Sequence, residues 1–190
     1  MVLALSFVVP RWLTASAPTP TDLPAGVAVG AGLPAGTRVP AFAARDLMTD
    51  RPITSRTVYD HPTLLFFSEG VSCQACLEQI QRIQGVGSAL SRRGIQLISI
   101  TPDPVGVLRQ AASQYGITTP LIADTSLTMS RAFNTLGLGM HADTPGHAFV
   151  LIDRGRVLWY RDYWVTNQVM YVPPRTLLAQ MPALPGARRA

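Results

Sequence analysis

At 190 residues the chain has room for one domain with a packed core plus tails, and with 47% of its residues apolar it is not disordered by composition. The formal charge of +5 comes from 16 arginines, with no lysine, set against 11 acids. The arginines are scattered, the densest groups being Arg92-Arg93 and Arg188-Arg189, so the clustered basic stripe of a nucleic-acid binder is absent.

Residues 1–13 read as a short apolar N-terminal segment: Val2 to Val9 is almost wholly apolar, followed by Pro10-Arg11-Trp12. The small-x-small pattern Ala15-Ser16-Ala17 then resembles the cleavable end of a secretory signal. No arginine precedes the apolar run, and it is shorter than the ~20 residues that cross a bilayer. It therefore reads as a signal or anchor remnant, with Met1 a late start, or else as an unordered apolar tail. Residues 14–37 are Ala, Pro, Thr and Gly with Asp22 as their one charge, which predicts a flexible linker ahead of a folded domain at 38–183. Residues 184–190 read as a disordered tail. The expected location is extracytoplasmic, secreted or held by a membrane tether.

Thr63 to Phe67 is a continuous apolar run, the pattern of a strand buried on both faces. Leu77, Ile80, Ile83, Val86 and Leu90 then recur at three- and four-residue steps, which predicts one helix with a buried stripe, weakened by Gly85 and Gly87 and ended by Gly94. Ile95 to Ile100 is the next strand. Asp103 is expected to cap a helix with Pro104 at its first position and Val105, Leu108, Ala112 and Tyr115 inward, stopped at Gly116. Leu121 to Ala123 reads as a short strand and Ser126 to Phe133 as a helix. His147 to Asp153 and Arg156 to Arg161 read as a hairpin turning at Arg154-Gly155, and Pro174 to Met181 as a closing helix. Strands alternating with helices imply an α/β fold with a mostly parallel central sheet, helices on both faces and a C-terminal antiparallel hairpin.

The only cysteines lie in Cys73-Gln74-Ala75-Cys76, between the first buried strand and the helix after it. A disulfide scaffold would need more cysteines at wider spacing, and closing so short a loop stabilises little. A structural zinc site would need four ligands, but there is no second cysteine pair and the histidines are three, His61, His141 and His147. Thiol chemistry is the better reading. The free N–H groups and dipole of a helix N-terminus favour a thiolate, so Cys73 is expected to be the exposed nucleophile and Cys76, one turn inside, the buried resolving thiol. Glu69 and Glu78 are the nearest acids; either is placed to relay a proton, and as charges they read foremost as solvated. The aromatics Trp159, Tyr160, Tyr163 and Trp164 read as edge-strand packing or as a groove wall.

This order of elements, with a Cys-x-x-Cys after the first buried strand, resembles the thioredoxin-like superfamily. More narrowly it resembles the redoxin branch: the alkyl hydroperoxide reductase and thiol-specific antioxidant family and its membrane-tethered thioredoxin-like relatives. Gly36 to Phe42, Leu64 to Cys76, Pro120 to Asp124 and Phe149 to Asp153 carry the likeness. The resemblance implies a thioredoxin-like fold, a redox-active Cys73–Cys76 disulfide and no other cofactor. It also implies a cis-proline wall facing the cysteines, which falls on Pro145, Gly146 and His147 as the substrate-binding candidates. Ser72 stands where thioredoxins carry Trp, and Gln-Ala replaces their Gly-Pro. Pro145 lies one residue earlier than an ungapped count from Phe149 requires, so either the loop carries an extra residue or the cis-proline is absent.

Three functions follow. The first is thiol–disulfide exchange on protein or small-thiol disulfides, fed by an upstream electron donor such as a thioredoxin-like or membrane thiol carrier. The second is peroxide reduction, with Cys73 oxidised to a sulfenic acid that Cys76 resolves. Peroxidases of the family place Thr or Ser three residues before the reactive cysteine, and here that residue is Gly70. The third is a copper-binding module in which Met140, His141 or His147 joins the thiolates, although that family spaces its cysteines one residue wider.

Overall fold

The computed structural model describes residues 31–137 and 139–185. The segment at 1–13 and most of the linker at 14–37 lie outside the described residues. The five-stranded central sheet is built from β3 (Thr63–Phe67), β4 (Gln96–Thr101), β5 (Leu121–Ala123), β6 (Ala148–Asp153) and β7 (Arg156–Asp162), in the order β5-β4-β3-β6-β7. A separate two-stranded ribbon pairs β1 (Ala43–Arg45) with β2 (Pro52–Thr54). The β3–β4 and β4–β5 pairs are parallel, whereas β6 runs antiparallel to both β3 and β7. This is the thioredoxin-like α/β arrangement. The connections between parallel strands are helical crossovers, and the tight hairpin supplies the antiparallel edge.

Strand β3 is fully buried because it sits in the centre of the sheet with a packed layer on each side. Leu64 and Phe66 join Phe149 and Leu151 on one face, packed against Leu77, Ile80 and Ile83 of α2 (Gln74–Gln84), Leu90 of α3 (Gly87–Arg92), Leu108 of α4 (Val105–Gln114) and Leu177 of α7 (Pro174–Gln180). Leu65 and Phe67 join Val150 and Ile152 on the other, against Val58 of α1 (Ser55–Asp60) and Met129 and Ala132 of α5 (Thr128–Ala132). Each such large apolar side chain, once buried, contributes about 1.5–3 kcal/mol. The period-two alternation of β3 thus sorts the helices onto the two faces of the sheet.

Several boundaries differ from the sequence reading. The single helix expected after the cysteines is two, because the chain breaks at Gly85 and Val86, where Val86 leaves helical geometry. Asp103 is not a cap: Pro104 occupies that position, Val105 is exposed, and the Asp103 carboxylate instead accepts the Val71 N–H at 3.1 Å. The fifth helix starts two residues late because Asp124 accepts the N–H groups of Met129 and Ser130. Elements β1, β2 and α1 carry no periodicity to read; the loop between the two strands is held by Asp46, which accepts Met48 N–H and Leu121 N–H. The folded part also begins before residue 38. Gly36 N–H donates to Val157 and Asn134 Nδ2 donates to Gly32, while Leu33 is buried, so residues 31–37 are docked on the sheet edge rather than free as linker. At the other end Leu184 packs on the core and Pro185 accepts from Arg154, so the tail assigned to 184–190 is attached there, and residues 186–190 lie outside the described residues. Among the described residues no helix is long and apolar enough to cross a membrane.

The β6–β7 hairpin turns at Arg154 and Gly155 as expected, both with left-handed backbone (φ 48° and 69°), the conformation of a two-residue turn matched to strand twist. A Cβ on Gly155 would overlap the Tyr59 ring of α1. Gly155→Ala is therefore expected to cost about 1–3 kcal/mol, from the left-handed penalty and the overlap. Equilibrium denaturant unfolding checks this as a lower midpoint with an unchanged slope.

Candidate active site

The buried strand β3 delivers the chain to the site. Past Phe67 come Ser68 and Glu69, then a 3₁₀ turn at Gly70–Ser72, then Cys73 as the N-cap of α2. Gly70 has φ 70°, and a Cβ there would overlap the Asp103 carboxylate. Glycine is required twice over, by backbone and by space. Asp103 reaches across from the β4–α4 connection to hold the turn through Val71 N–H. Burial raises the Asp103 pKa, opposed by the nearby Thr101 hydroxyl and by the hydrogen bond from Val71 N–H.

Cys73 and Cys76 form a disulfide, with Cα atoms 5.2 Å apart. The Cys76 N–H points at Cys73 Sγ, 3.2 Å away. This first-turn N–H is shared with the Cys73 carbonyl, 3.0 Å away, and it would stabilise a Cys73 thiolate on reduction. Cys76 is completely buried, as expected for the resolving thiol. Cys73, expected to be exposed, is only 4% exposed. Met170 and Trp164 pack directly over the pair, together with Ala75. The physical reason is local: Asp162 caps α6 (Tyr163–Asn167) by accepting Val165 N–H, which turns the chain after β7 so that Trp164 and Met170 meet the cysteines.

Of the wall residues, His147 reaches the pair. Its Nδ1 is 3.8 Å from Cys76 Sγ, and its ring packs edge-on against Phe66 and Phe149. His147 is wholly buried, its Nε2 has no hydrogen-bond partner, and burial lowers its pKa to about 3, so it is neutral beside the disulfide. Gly146 abuts a different group: a Cβ there would overlap the Asp162 carboxylate, so glycine is set by that close approach. Pro145 is buried and bridges to Leu136 across the loop. No peptide bond among the described residues is cis, which answers the one-residue offset of Pro145 with the second alternative.

Glu69 corrects the sequence reading most sharply. It is not a solvated charge, since its side chain is 0% exposed. Its carboxylate accepts His141 N–H at 3.1 Å and pairs with His141 Nδ1 at 3.0 Å, and Gly139 leaves it room where a Cβ would collide. The anion thereby organises the loop that leads to Pro145 and His147. Glu78 stays at the surface side of α2, accepting from Gln74. Asp162, buried nearby, has its pKa raised by burial, with the Glu69 charge adding to it against hydrogen bonds from Val165, Trp164 and Tyr160. Of the further copper ligands considered, Met140 is 47% exposed and His141 is bound to Glu69, while His147 lies beside Cys76. Among the described residues no three His, Cys, Asp or Glu side chains are grouped to hold a metal. Sequence reasoning missed Asp162 and Met170, took Asp103 for a helix cap and offered Trp164 only as edge packing or a groove wall, because these residues come from other elements and carry no spacing relative to the cysteines.

Residues 35–161 match the model of the AhpC/TSA family. The chain belongs to that family. Among solved structures, this AhpC/TSA protein is similar to the peroxidoxin BcpB of Mycobacterium tuberculosis, with TM-score 0.60 and 19% identity over 78% of this chain and 98% of that one. It is similar to Enterococcus faecalis AhpC, with TM-score 0.66 and 15% identity over 77% and 89%. It also resembles a putative thiol:disulfide interchange protein DsbE of Chlorobium tepidum, with TM-score 0.57 and 19% identity over 68% and 86%. No curated protein matches the chain significantly. Family and site together make it a redoxin-family thiol oxidoreductase with a Cys73–Cys76 disulfide.

His147 gives the site a pH signature. Folded, it stays neutral down to about pH 3, while in the unfolded chain it titrates near 6.5. Its contribution is therefore fully present above pH 6.5 and is lost as the pH falls toward 3, at up to about 1.4 kcal/mol per unit. Asp103 and Asp162, with raised values, act in the opposite sense. Unfolding free energies measured from pH 7 to 4 should fall more steeply for the wild type than for His147→Leu; parallel curves would refute the assignment.

Proposed function

We propose that this protein catalyses thiol–disulfide exchange on protein or small-thiol disulfides outside the cytoplasm, with Cys73 as nucleophile and Cys76 as resolving thiol. One observation carries the choice: the position three residues before Cys73 is Gly70, held left-handed against Asp103. A threonine or serine hydroxyl for orienting a peroxide has neither the backbone nor the space there. The likeness to a putative interchange protein adds support, and the apolar start of the chain supports an extracytoplasmic, tethered or secreted location.

In the reduced enzyme the Cys73 thiolate, held by the Cys76 N–H, attacks one sulfur of the client disulfide and expels the other as a thiolate, giving a mixed disulfide. Cys76 then loses its proton and attacks Cys73 Sγ, which restores the Cys73–Cys76 disulfide and releases the client as a dithiol. His147 is placed to accept that proton at Nδ1. Burial disfavours the imidazolium alone, but a Cys76 thiolate formed beside it offsets that penalty. An upstream thiol donor, thioredoxin-like or membrane-bound, resets the pair.

Peroxide reduction is the second reading, favoured by the family and by the near-closure of Cys73. There the thiolate takes one oxygen from ROOH to give a sulfenic acid and ROH, and Cys76 condenses with it, releasing water.

Insulin reduction with a small dithiol donor tests the choice. The wild type should turn over and Cys73→Ser should be inactive, whereas Cys76→Ser should accumulate a mixed disulfide that a non-reducing gel displays. His147→Gln should slow release of that intermediate about 10²-fold, the scale of a lost proton-transfer partner. Peroxide consumption without insulin reduction would reverse the assignment.

A further inference from the structure

We propose that the strap from Tyr163 to Val172 is a gate whose inward side chains, Trp164 and Met170, select by size what reaches Cys73. The chemistry requires a reactant sulfur or oxygen to come into line with Cys73 Sγ, and only 4% of that residue is open to solvent. What covers it is neither sheet nor long helix but one short helical turn and a loop: Trp164 and Met170 lie on the pair. Of the strap's other large apolar residues, Tyr163 and Val172 at its two ends are buried in the main core, whereas Val165, Val169 and Tyr171 between them face outward at 48%, 38% and 36% exposure. Between those buried ends the strap meets the cysteines through two side chains, Trp164 and Met170.

Its polar anchors are at its ends. Asp162 receives Val165 N–H and its backbone carbonyl receives the Thr166 hydroxyl, which fixes the start. At the far end Val172 N–H donates to Oε1 of Gln79, a wholly buried side chain of α2, at 2.7 Å. Between them Gln168 takes a left-handed backbone at φ 53°, a conformation that asparagine and glycine adopt far more readily. A segment tied at both ends, with a strained residue in the middle and two inward side chains, can leave the cysteines without disturbing α2 or the sheet. In the closed form small reagents reach Cys73 past the edge of Trp164 and Met170; a protein disulfide requires the strap to lift.

Alkylation of the reduced full chain carrying Cys76→Ser tests this whichever substrate reacts at the site. Two maleimides with the same warhead are compared, N-ethylmaleimide and a maleimide bearing a long poly(ethylene glycol) chain. The bulky-to-small rate ratio of the folded protein should lie at least about tenfold below that of the chain unfolded in denaturant, the scale set by exposing one buried methionine. Met170→Ala should move the ratio most of the way to the unfolded value, and Met170→Leu, which keeps the volume, should leave it low. Gln79→Leu, which removes the far anchor without touching the cover, should raise it as well, with circular dichroism confirming that each variant is folded. A folded wild-type ratio equal to the unfolded one overturns the gate. So does an unchanged ratio in folded Met170→Ala and Gln79→Leu.

Discussion

The contact from Cys76 N–H to Cys73 Sγ, 3.2 Å long, is the one on which the site depends. It exists because α2 begins where it does, one residue past Cys73, at the exit of a strand that has no exposed residue. A helix starting one turn later would leave Cys73 in a loop without a donor. One starting earlier would carry Cys73 inside, where its sulfur would compete with no free N–H. The start is fixed from outside the helix. Phe66 and Leu64 take their register from β4 and β6, and the 3₁₀ turn between strand and helix is clamped by Asp103 from the next connection.

Buried polar groups do this clamping throughout. Asp103 holds the turn before the cysteines, Glu69 holds the loop that carries the facing wall, and Asp162 caps the turn that brings Trp164 over the pair. Each carboxylate is buried, and each is accompanied by a glycine that a Cβ would push away: Gly70 at Asp103, Gly139 at Glu69 and Gly146 at Asp162. A buried carboxylate left without donors costs several kcal/mol, so each acid demands a backbone that comes close enough to donate. The glycines are what allow that approach.

This pairing explains what was legible in the sequence and what was not. Continuous apolar runs and three–four spacing identify strands β3, β4 and β6 and helix α2 because those patterns are local. The Cys-x-x-Cys at a strand-to-helix junction is local too, and so is the left-handed Arg154-Gly155 turn. Glu69 is misread because nothing within several residues says that His141, 72 positions later, will cover it. Asp103 looks like a cap because Asp before Pro and an apolar run is a cap in isolation; the tertiary demand of Val71 overrides it. Trp164 reads equally as edge-strand packing or as a groove wall, and Met170 as nothing, because the turn that brings them to the cysteines starts from one cap at Asp162.

The same logic bears on chemistry. A fold does not by itself fix a reaction, so what surrounds the cysteines matters as much as the cysteines themselves. In this chain the residue three before Cys73 cannot carry a hydroxyl without breaking the Asp103 clamp, and breaking the clamp would release the turn that sets the helix start. The glycine three residues before Cys73 and the clamp that sets the helix start are thus one structural choice. Covering Cys73 with a strap is compatible with that choice, since an N–H donor strengthens as water leaves it. The enclosure itself works against the charge, since apolar burial raises a thiol's pKa, so the Cys76 N–H is the group that would offset it.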